Sequence, residues 1–244
     1  MDLTQEFAAR VTAAEQDLPG PELLPERLAR ACAELLPVAG AGLSVYFSAD
    51  RRLPLGGSDP TAGIAERLQF TVGEGPCLSA HSLGSPVFAD EEELRTRWPV
   101  FHDQLVTRTP FRGVISLPLQ GGLQGIGALD LFVTPPGSVR DMSLFDTITV
   151  TTALSATFAA AMDQEPRTES GPAWLDAPAA GRRALVWQAV GFVSVGLELD
   201  STDALSLLRA HAYGSDRDLD EVAQAVLEEQ LSMAELSEAA GTGN

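Results

Sequence analysis

The C-terminal part of the chain carries three short apolar stripes in close succession. Each stripe has apolar residues three or four positions apart, which predicts an amphipathic helix. The stripes run through residues 185–196, 204–212 and 219–230. Helices this short are marginal in water unless they pack on one another. The pattern therefore predicts a unit of three packed helices over residues 182–231, followed by a disordered tail at 232–244.

Helix-start and helix-stop residues separate these stripes. Ser201 precedes the second stripe as an N-cap, and Gly214 follows it as a left-handed stop. Asp218 and Glu221 match a capping box before the third stripe, with Asp in place of the usual Ser or Thr. These signals predict tight turns between the helices.

Residues 22–163 show a different pattern, in which short alternating stretches lie between turn residues rich in Gly and Pro. The predicted strands are 43–48, 52–57, 85–88, 114–119 and 125–133, and the predicted helices are 22–36, 76–83, 98–109 and 141–162. Residues 1–21 are predicted to form a separate N-terminal segment. Residues 164–181, rich in Pro, Gly and charge, are predicted to form a linker with Trp174 as an apolar anchor. The fold class is therefore α+β, with a sheet domain followed by an all-α domain.

Composition adds a strong negative charge to this picture. The chain has 244 residues, 34 acidic residues and 16 basic residues, all of them arginine, for a net charge of −18. Residues 182–231 carry four arginines and nine acidic residues, or 4 − 9 = −5. Such a surface should repel phosphate backbones. The N-terminus lacks the basic start and apolar run of a signal peptide, so we expect a cytoplasmic protein without membrane attachment.

The C-terminal unit resembles the ANTAR domain, the three-helix RNA-binding module of bacterial transcription antiterminators. The resemblance rests on three motifs in order: QAVGF at 188–192, DALSLLRAHAY at 203–213 and LDEVAQAV at 219–226. Val190 stands where the family usually has a basic residue before the glycine. The resemblance implies RNA stem-loops as partners and transcription antitermination as the function. Loops with unpaired bases suit this acidic surface better than duplex DNA, and we expect no specific DNA binding.

Residues 22–163 resemble a GAF domain, a sensory fold with a central antiparallel sheet and helices packed on it. The motifs that carry the resemblance are GLSVYF at 42–47, LQFTVGEGPC at 68–77, RWP at 97–99, SLPL at 116–119 and IGALDLF at 126–132. The combination is similar to GAF domains that precede ANTAR modules in actinobacterial regulators. The resemblance implies signal sensing, with a small molecule in the GAF pocket as one option for a cofactor, and it leaves the ligand open.

Four residues of the sheet domain are candidates for ligand contact: Cys77, His81, Trp98 and Phe101. Cys77 follows Pro76 at a predicted helix start, where the helix dipole favours a reactive thiol. A buried thiol that fills the core is the alternative. Cys77 and His81 lie four positions apart but have no third ligand or orienting carboxylate, so we expect no metal site and no catalytic pair. Trp98 and Phe101 fit either a pocket lining or ordinary core.

The residues expected to form the RNA-binding site lie on the first two helices of the C-terminal unit, and its small residues are expected to allow close approach either of helices or of RNA. The site residues are Arg182, Arg183, Gln188, Ala189, Gly191, Ala204, Arg209, Ala212 and Tyr213. Helix 141–162 has few charges and an apolar surface on more than one side, which favours a homodimer. We hypothesise that a signal at the sheet domain shifts this helix and changes how two C-terminal units present themselves to paired hairpins.

Three alternatives stay open at this point. The C-terminal unit could be a plain helical dimerisation tail, or an acidic module that binds a protein partner instead of RNA. Some GAF folds also reduce free methionine sulfoxide through cysteines. That chemistry needs a nucleophilic thiol and usually a resolving thiol in one pocket. With only Cys32 beside Cys77, we expect no enzyme activity.

Overall fold

The computed structural model describes residues 2–48, 51–164 and 172–241. The chain divides into two compact units: a sheet unit, residues 1–70 and 74–180, and a helical unit, residues 71–73 and 181–244. The strands are β1 (Gly40–Ser48), β2 (Arg51–Gly57), β3 (Val87–Ala89), β4 (Gly113–Pro118) and β5 (Gly127–Val133). The helices are α1 (Leu3–Ala14), α2 (Leu24–Leu35), α3 (Pro60–Val72), α4 (Pro76–Leu83), α5 (Glu91–Arg97), α6 (Pro99–Arg108), α7 (Leu144–Gln164), α8 (Pro178–Leu197), α9 (Ser201–Gly214), α10 (Leu219–Leu227) and α11 (Met233–Gly241).

The five strands form one antiparallel sheet in the order β2-β1-β5-β4-β3. This confirms the predicted α+β class and the antiparallel sheet flanked by helices. Side chains alternate between the two faces of a strand. On β1, Leu43 and Val45 join the large apolar core, whereas Ser44 and Tyr46 contact Cys77 on the opposite face. The two faces of the sheet therefore have different chemistry.

Helices α1, α2 and α7 cover the apolar face. Helix α2 buries Leu28 and Cys32 at helical spacing, as predicted. The prediction of a separate N-terminal segment at 1–21 is wrong, because α1 buries Phe7 and Val11 in the same core. These two residues are four positions apart and so share one side of the helix.

Helix α7 buries Val150, Leu154 and Phe158 in this core. Trp174 packs against Phe158, with ring centroids 5.7 Å apart. Residues 172–180 are therefore folded onto the sheet unit, and the predicted linker is too long at its C-terminal end. The rest of that linker, at 165–171, lies outside the described residues. The apolar anchor predicted at Trp174 is confirmed.

Helix α7 also meets the length and composition of a membrane-crossing helix, judged on those two properties alone. About 39% of its most apolar window is buried inside the protein. Its exposed side includes Leu144, Phe145 and Ile148, which are 51%, 76% and 41% exposed.

The described part of the helical unit contains four helices, not the three predicted. Its turns follow the predicted capping only in part. The capping box of Asp218 and Glu221 is present at α10. Asp200, not Ser201, caps α9, because its carboxylate accepts hydrogen bonds from the Thr202 and Asp203 amides.

The extra helix, α11, replaces the disordered tail predicted at 232–244. It buries Leu236 completely, and Leu231 before it is also buried. Ser232 and Glu235 hydrogen bond at its start, through the Ser232 backbone N–H and hydroxyl and the Glu235 carboxylate. Among the described side chains of α11, at 233–237, only Leu236 is fully buried, so the apolar pattern of this helix is weak. Residues 242–244 lie outside the described part of the chain.

Candidate functional site

A cluster of buried polar side chains lies on the second face of the sheet, and we call it the polar cluster. Its members are Ser44, Tyr46, Arg52, Ser116 and Asp130 from the strands, Glu66 and Gln69 from α3, and Cys77 from α4. The strand register brings it together. Gly42 on β1 and Ser116 on β4 both lie opposite Asp130 on β5, and Tyr46 lies opposite Arg52. Residues directly opposite in a ladder share one face of the sheet.

Arg52 is the centre of the polar cluster. Its guanidinium, 1% exposed, donates to the Ser44 hydroxyl at 3.2 Å and to the Glu66 carbonyl at 2.8 Å. It also pairs with the Glu66 carboxylate and lies 3.5 Å from the Asp130 carboxylate. One cation thus faces two carboxylates in a site closed to solvent. Buried charges are tolerated only when they are paired in this way.

Gln69 connects the charged groups to the start of α4. Its amide nitrogen donates to Asp130 at 2.7 Å, and its amide oxygen accepts from the Cys77 backbone N–H at 2.8 Å. Ser116 donates to the other oxygen of Asp130. The Gln69 side chain occupies the space that a side chain at Gly75 would need, where φ is +146°. This explains why the GEGPC segment has glycine there.

Glu74 connects the GEGPC segment to the start of α6. Its carboxylate accepts hydrogen bonds from the backbone N–H groups of Val100 and Phe101 at 2.9 and 3.1 Å, at the start of α6. A carboxylate is favourable at a helix N-terminus because those amides have no partner within the helix. The most distinctive motif of the sheet domain is therefore a structural turn.

Titration in the polar cluster follows from burial. Burial raises the pKa of the Cys77 thiol and of the Tyr46 phenol. Burial also raises the pKa of Glu66, against the effect of Arg52, and the nearby Asp130 raises it further. The raised pKa favours the protonated form of Glu66, and protonation of one carboxyl group leaves this cluster of one guanidinium and two carboxyl groups neutral. Cys77 is accordingly a thiol, which does not fit a reactive thiolate.

The structure brings together two of the four predicted ligand residues. Cys77 Sγ lies 3.1 Å from the Tyr46 hydroxyl, and the His81 ring stacks on Tyr46 at 3.6 Å between centroids. Burial lowers the pKa of His81, which favours the neutral ring. Trp98 and Phe101, at the start of α6, are 6% and 0% exposed. Cys77 is also fully buried, so these three side chains are core residues in this state and present no surface to a ligand.

A surface cavity of about 530 Å³ lies elsewhere in the sheet unit. It is lined by Phe88, Asp90, Glu92, Glu93, Val139, Arg140 and Met142. Its rim holds the ion pair between Arg140 and Asp90 at 2.9 Å. None of the four predicted ligand residues lines it. Within the described ranges, no group of three or more His, Cys, Asp or Glu side chains is arranged to hold a metal ion.

The residues predicted to contact RNA divide into exposed and buried sets. Arg182, Gln188, Gly191 and Tyr213 are exposed, and Arg209 is half-buried. Ala189, Ala204 and Ala212 are fully buried, so they pack helices together and cannot contact RNA.

Arg183 is the clearest correction among these residues. It is 1% exposed, and its guanidinium lies 3.2 Å from the Asp220 carboxylate. This ion pair joins α8 to the start of α10 inside the helical unit. Arg183 therefore stabilises the unit and is removed from any surface that meets RNA.

Sequence reasoning missed most of the polar cluster, namely Ser44, Arg52, Glu66, Gln69, Ser116 and Asp130. One signal was available, because Asp130 interrupts the otherwise apolar stretch GALDLFV. A strand that is buried on both faces reads as a continuous apolar run. A carboxylate within such a run needs a buried partner, and Arg52 provides it.

Comparison with known proteins gives weak likenesses. No family model and no curated protein matches the chain. Among solved structures, the GAF domain of a phosphoenolpyruvate-protein phosphotransferase from Coxiella burnetii is 14% identical at TM-score 0.45, over 66% of this chain and 97% of that one. The GAF domain of A. aeolicus nlh2 in an inactive state is 13% identical at 0.44, over 65% and 99%. Free methionine-R-sulfoxide reductase from Neisseria meningitidis with its substrate is 15% identical at 0.41, over 66% and 92%. At this level the likenesses carry no argument about function.

The two cysteines lie on opposite faces of the sheet. Cys32 belongs to the core with Leu43 and Val45, whereas Cys77 packs with Tyr46. Both thiols are fully buried, and burial raises both pKa values. A nucleophilic thiol and a resolving thiol must share one pocket, and these two do not.

Proposed function

We propose that this chain is a signal-responsive regulator in which a GAF-type sheet unit senses a signal and an ANTAR-type helical unit binds RNA and favours antitermination. The proposal rests on the order of the two units and on the motifs that resemble those families. The observation that carries it is the exposure of Gln188, Gly191 and Tyr213. These motif residues are exposed and do not belong to the buried core of the helices, so a role at the surface accounts for their identity.

The recognition chemistry in this proposal is stacking and hydrogen bonding to unpaired bases. Tyr213 is 52% exposed and can stack on a base, and the Gln188 amide can both donate and accept. Gly191 has open space where a Cβ would lie, which allows close approach of an RNA backbone. RNA loops present bases in this way, whereas duplex DNA does not. We therefore propose RNA stem-loops as the partner and the cytoplasm as the location.

A gel-shift titration of the full chain with paired hairpin RNAs tests the proposal. We expect retardation at micromolar protein in low salt, and at least about tenfold weaker binding for Tyr213→Ala. Ser206→Ala, at another exposed position of α9, is the matched control and should bind as the parent does. No retardation, or equal binding by both variants, would reject the RNA-binding role.

We further propose that the working form is a homodimer joined through α7. Leu144, Phe145 and Ile148 form an exposed apolar side of that helix. Sedimentation measures the oligomeric state directly. Phe145→Glu should give monomers, whereas Leu83→Glu, at a residue 64% exposed on α4, should not. A parent chain that sediments as a monomer at tens of micromolar would exclude this interface.

A second candidate function is favoured by one observation, the acidity of the helical unit. Residues 184–208 contain Glu198, Asp200 and Asp203 and no basic residue. A protein partner with a basic surface fits this stretch better than RNA does. In this alternative the sensor controls a protein contact, and its affinity for hairpin RNA is negligible.

A further inference from the structure

The helical unit exposes apolar side chains beside a stretch of the chain whose charged residues are all acidic. On α8, Phe192 is 48% exposed and Val195 is 83% exposed. They lie three positions apart and so share one side of the helix. Single exposed apolar residues are normal on monomeric proteins, and this adjacent pair forms a small apolar surface with charged residues beside it.

Three exposed carboxylates follow directly after this pair. Glu198 ends α8, Asp200 caps α9, and Asp203 lies in the first turn of α9. We call Phe192, Val195 and these three residues the acidic apolar patch.

Three of the four arginines of the unit, Arg182, Arg183 and Arg217, lie at its other end. Only three residues connect α8 to α9, which favours antiparallel helices. The ion pair between Arg183 and Asp220 agrees with this, since it joins the first half of α8 to the start of α10, just after α9 ends. Arg182 and Arg217 belong to this same end, about 20 Å along the helices from the patch, whereas Arg209 lies in the middle of α9, about 9 Å along the helix from Asp203.

We infer that the acidic apolar patch docks a basic amphipathic segment of another protein. Lysine or arginine side chains would pair with the three carboxylates, and apolar side chains would cover Phe192 and Val195. Two other occupants fit poorly. A second copy would bring like charges together at the same surface, and a nucleic acid would bring phosphates against carboxylates. The inference deepens the second candidate function, rests on it, and does not depend on RNA binding.

The backbone at Glu198 makes a substitution there informative, because folding and binding should respond in opposite directions. Its φ is +54°, and the Leu199 N–H donates to the Ser194 carbonyl at 3.0 Å, which closes α8 with a left-handed residue. Glycine is the usual residue there, and a carboxylate at a helix C-terminus is unfavourable to the helix dipole. Glu198 is thus unfavourable for local stability in two ways, and it shares the left-handed backbone with Asp216 and Glu229.

Fluorescence anisotropy of a labelled 15-residue peptide with the full chain tests the inference. The peptide has leucine at i, i+3, i+4 and i+7 and lysine elsewhere. Two control peptides are used. One has the same composition in scrambled order, and the other has glutamate in place of every lysine. We expect the first peptide alone to bind, Val195→Ser to weaken binding about tenfold, and Leu83→Ser to have no effect. Equal binding of the scrambled peptide, or no loss with Val195→Ser, would overturn the inference.

Glu198→Gly separates binding from folding. We expect a higher thermal midpoint and about threefold weaker peptide binding in low salt. Asp216→Gly is the matched control, because Asp216 has φ +53° at the end of α9 and lies at the opposite end of the unit. The Asp216→Gly substitution should raise the thermal midpoint without weakening peptide binding. Unchanged affinity in Glu198→Gly would overturn the inference, as would displacement of the peptide by a single-stranded RNA. Retardation of hairpin RNA by the parent chain is measured in a separate experiment. Failure of the RNA proposal can therefore be told apart from failure of this inference.

Discussion

Replacing Glu66 with glutamine should change how the stability of the sheet unit depends on pH. The Glu66 carboxyl is 1% exposed and pairs with Arg52, which also lies 3.5 Å from Asp130. Asp130 accepts hydrogen bonds from Gln69 and Ser116, whereas one oxygen of Glu66 is buried without a hydrogen-bond partner. Burial of the Glu66 carboxyl is therefore less well compensated by hydrogen bonds, and it raises the pKa of Glu66 above its ordinary value of 4.5.

The direction and size of the effect follow from proton linkage. Above about pH 4.5 the unfolded chain releases the Glu66 proton, while the folded chain keeps it until the raised pKa is reached. The contribution of this group to stability is complete below that pH and is lost as the pH rises. While the folded chain holds this proton and the unfolded chain does not, the slope is about −1.4 kcal/mol per pH unit. A domain with roughly 5–15 kcal/mol of total stability would show this clearly.

Urea unfolding at pH 5, 6 and 7 measures the difference between parent and Glu66→Gln. Glutamine cannot titrate, so the free energy of unfolding of the parent should fall relative to the variant as pH rises. Other groups cancel in the difference, including Asp90, whose pKa is lowered by a hydrogen bond from the Glu93 backbone and which acts in the opposite direction. Glu15→Gln, at an exposed position after α1, is the control. Parallel curves for parent and Glu66→Gln would refute a protonated Glu66.

Three further predictions test the core of each unit. Gly42→Ala should cost about 1–3 kcal/mol in the free energy of unfolding, because its Cβ would lie 2.2 Å from Cγ of Glu66, whereas Gly122→Ala has open space and should be neutral. Iodoacetamide should leave Cys77 unmodified in the folded protein and alkylate it in urea, as mass spectrometry of the peptides would reveal; rapid labelling of the native chain would contradict its burial. Leu236→Ala should destabilise the helical unit by about 2–5 kcal/mol in chemical unfolding, and an unchanged midpoint would mean that α11 does not pack as described.

Local patterns were enough to predict most elements of the sheet unit. The helix predicted at 76–83 matches α4, and the strand predicted at 43–48 lies within β1. These features depend on side chains within a few positions of one another. Helix α3 was not predicted from the sequence. Its apolar and polar residues separate only weakly onto two sides of the helix, and Gly63 and Thr71 have low helix propensity.

The polar cluster could not be predicted in the same way. Its ion pairs join β2, α3 and β5, with 14 residues between Arg52 and Glu66 and 61 between Gln69 and Asp130 along the chain. Burial of a charge depends on a distant partner, and a single sequence contains no record of that distance. The burial of Arg183 has the same cause, because its partner Asp220 is on another helix.

The charge of the helical unit limits how any RNA could bind there. With Arg183 buried, only Arg182, Arg209 and Arg217 remain at least partly exposed among the arginines of residues 182–231. Each phosphate neutralised on single-stranded RNA contributes about −0.7 to the slope of log K against log salt, so three contacts give a slope of about −2 per chain. Tyr213 stacking does not depend on salt in this way. A measured slope much steeper than about −4 for a dimer would require cations that this unit does not have, and RNA binding would then have to involve another surface.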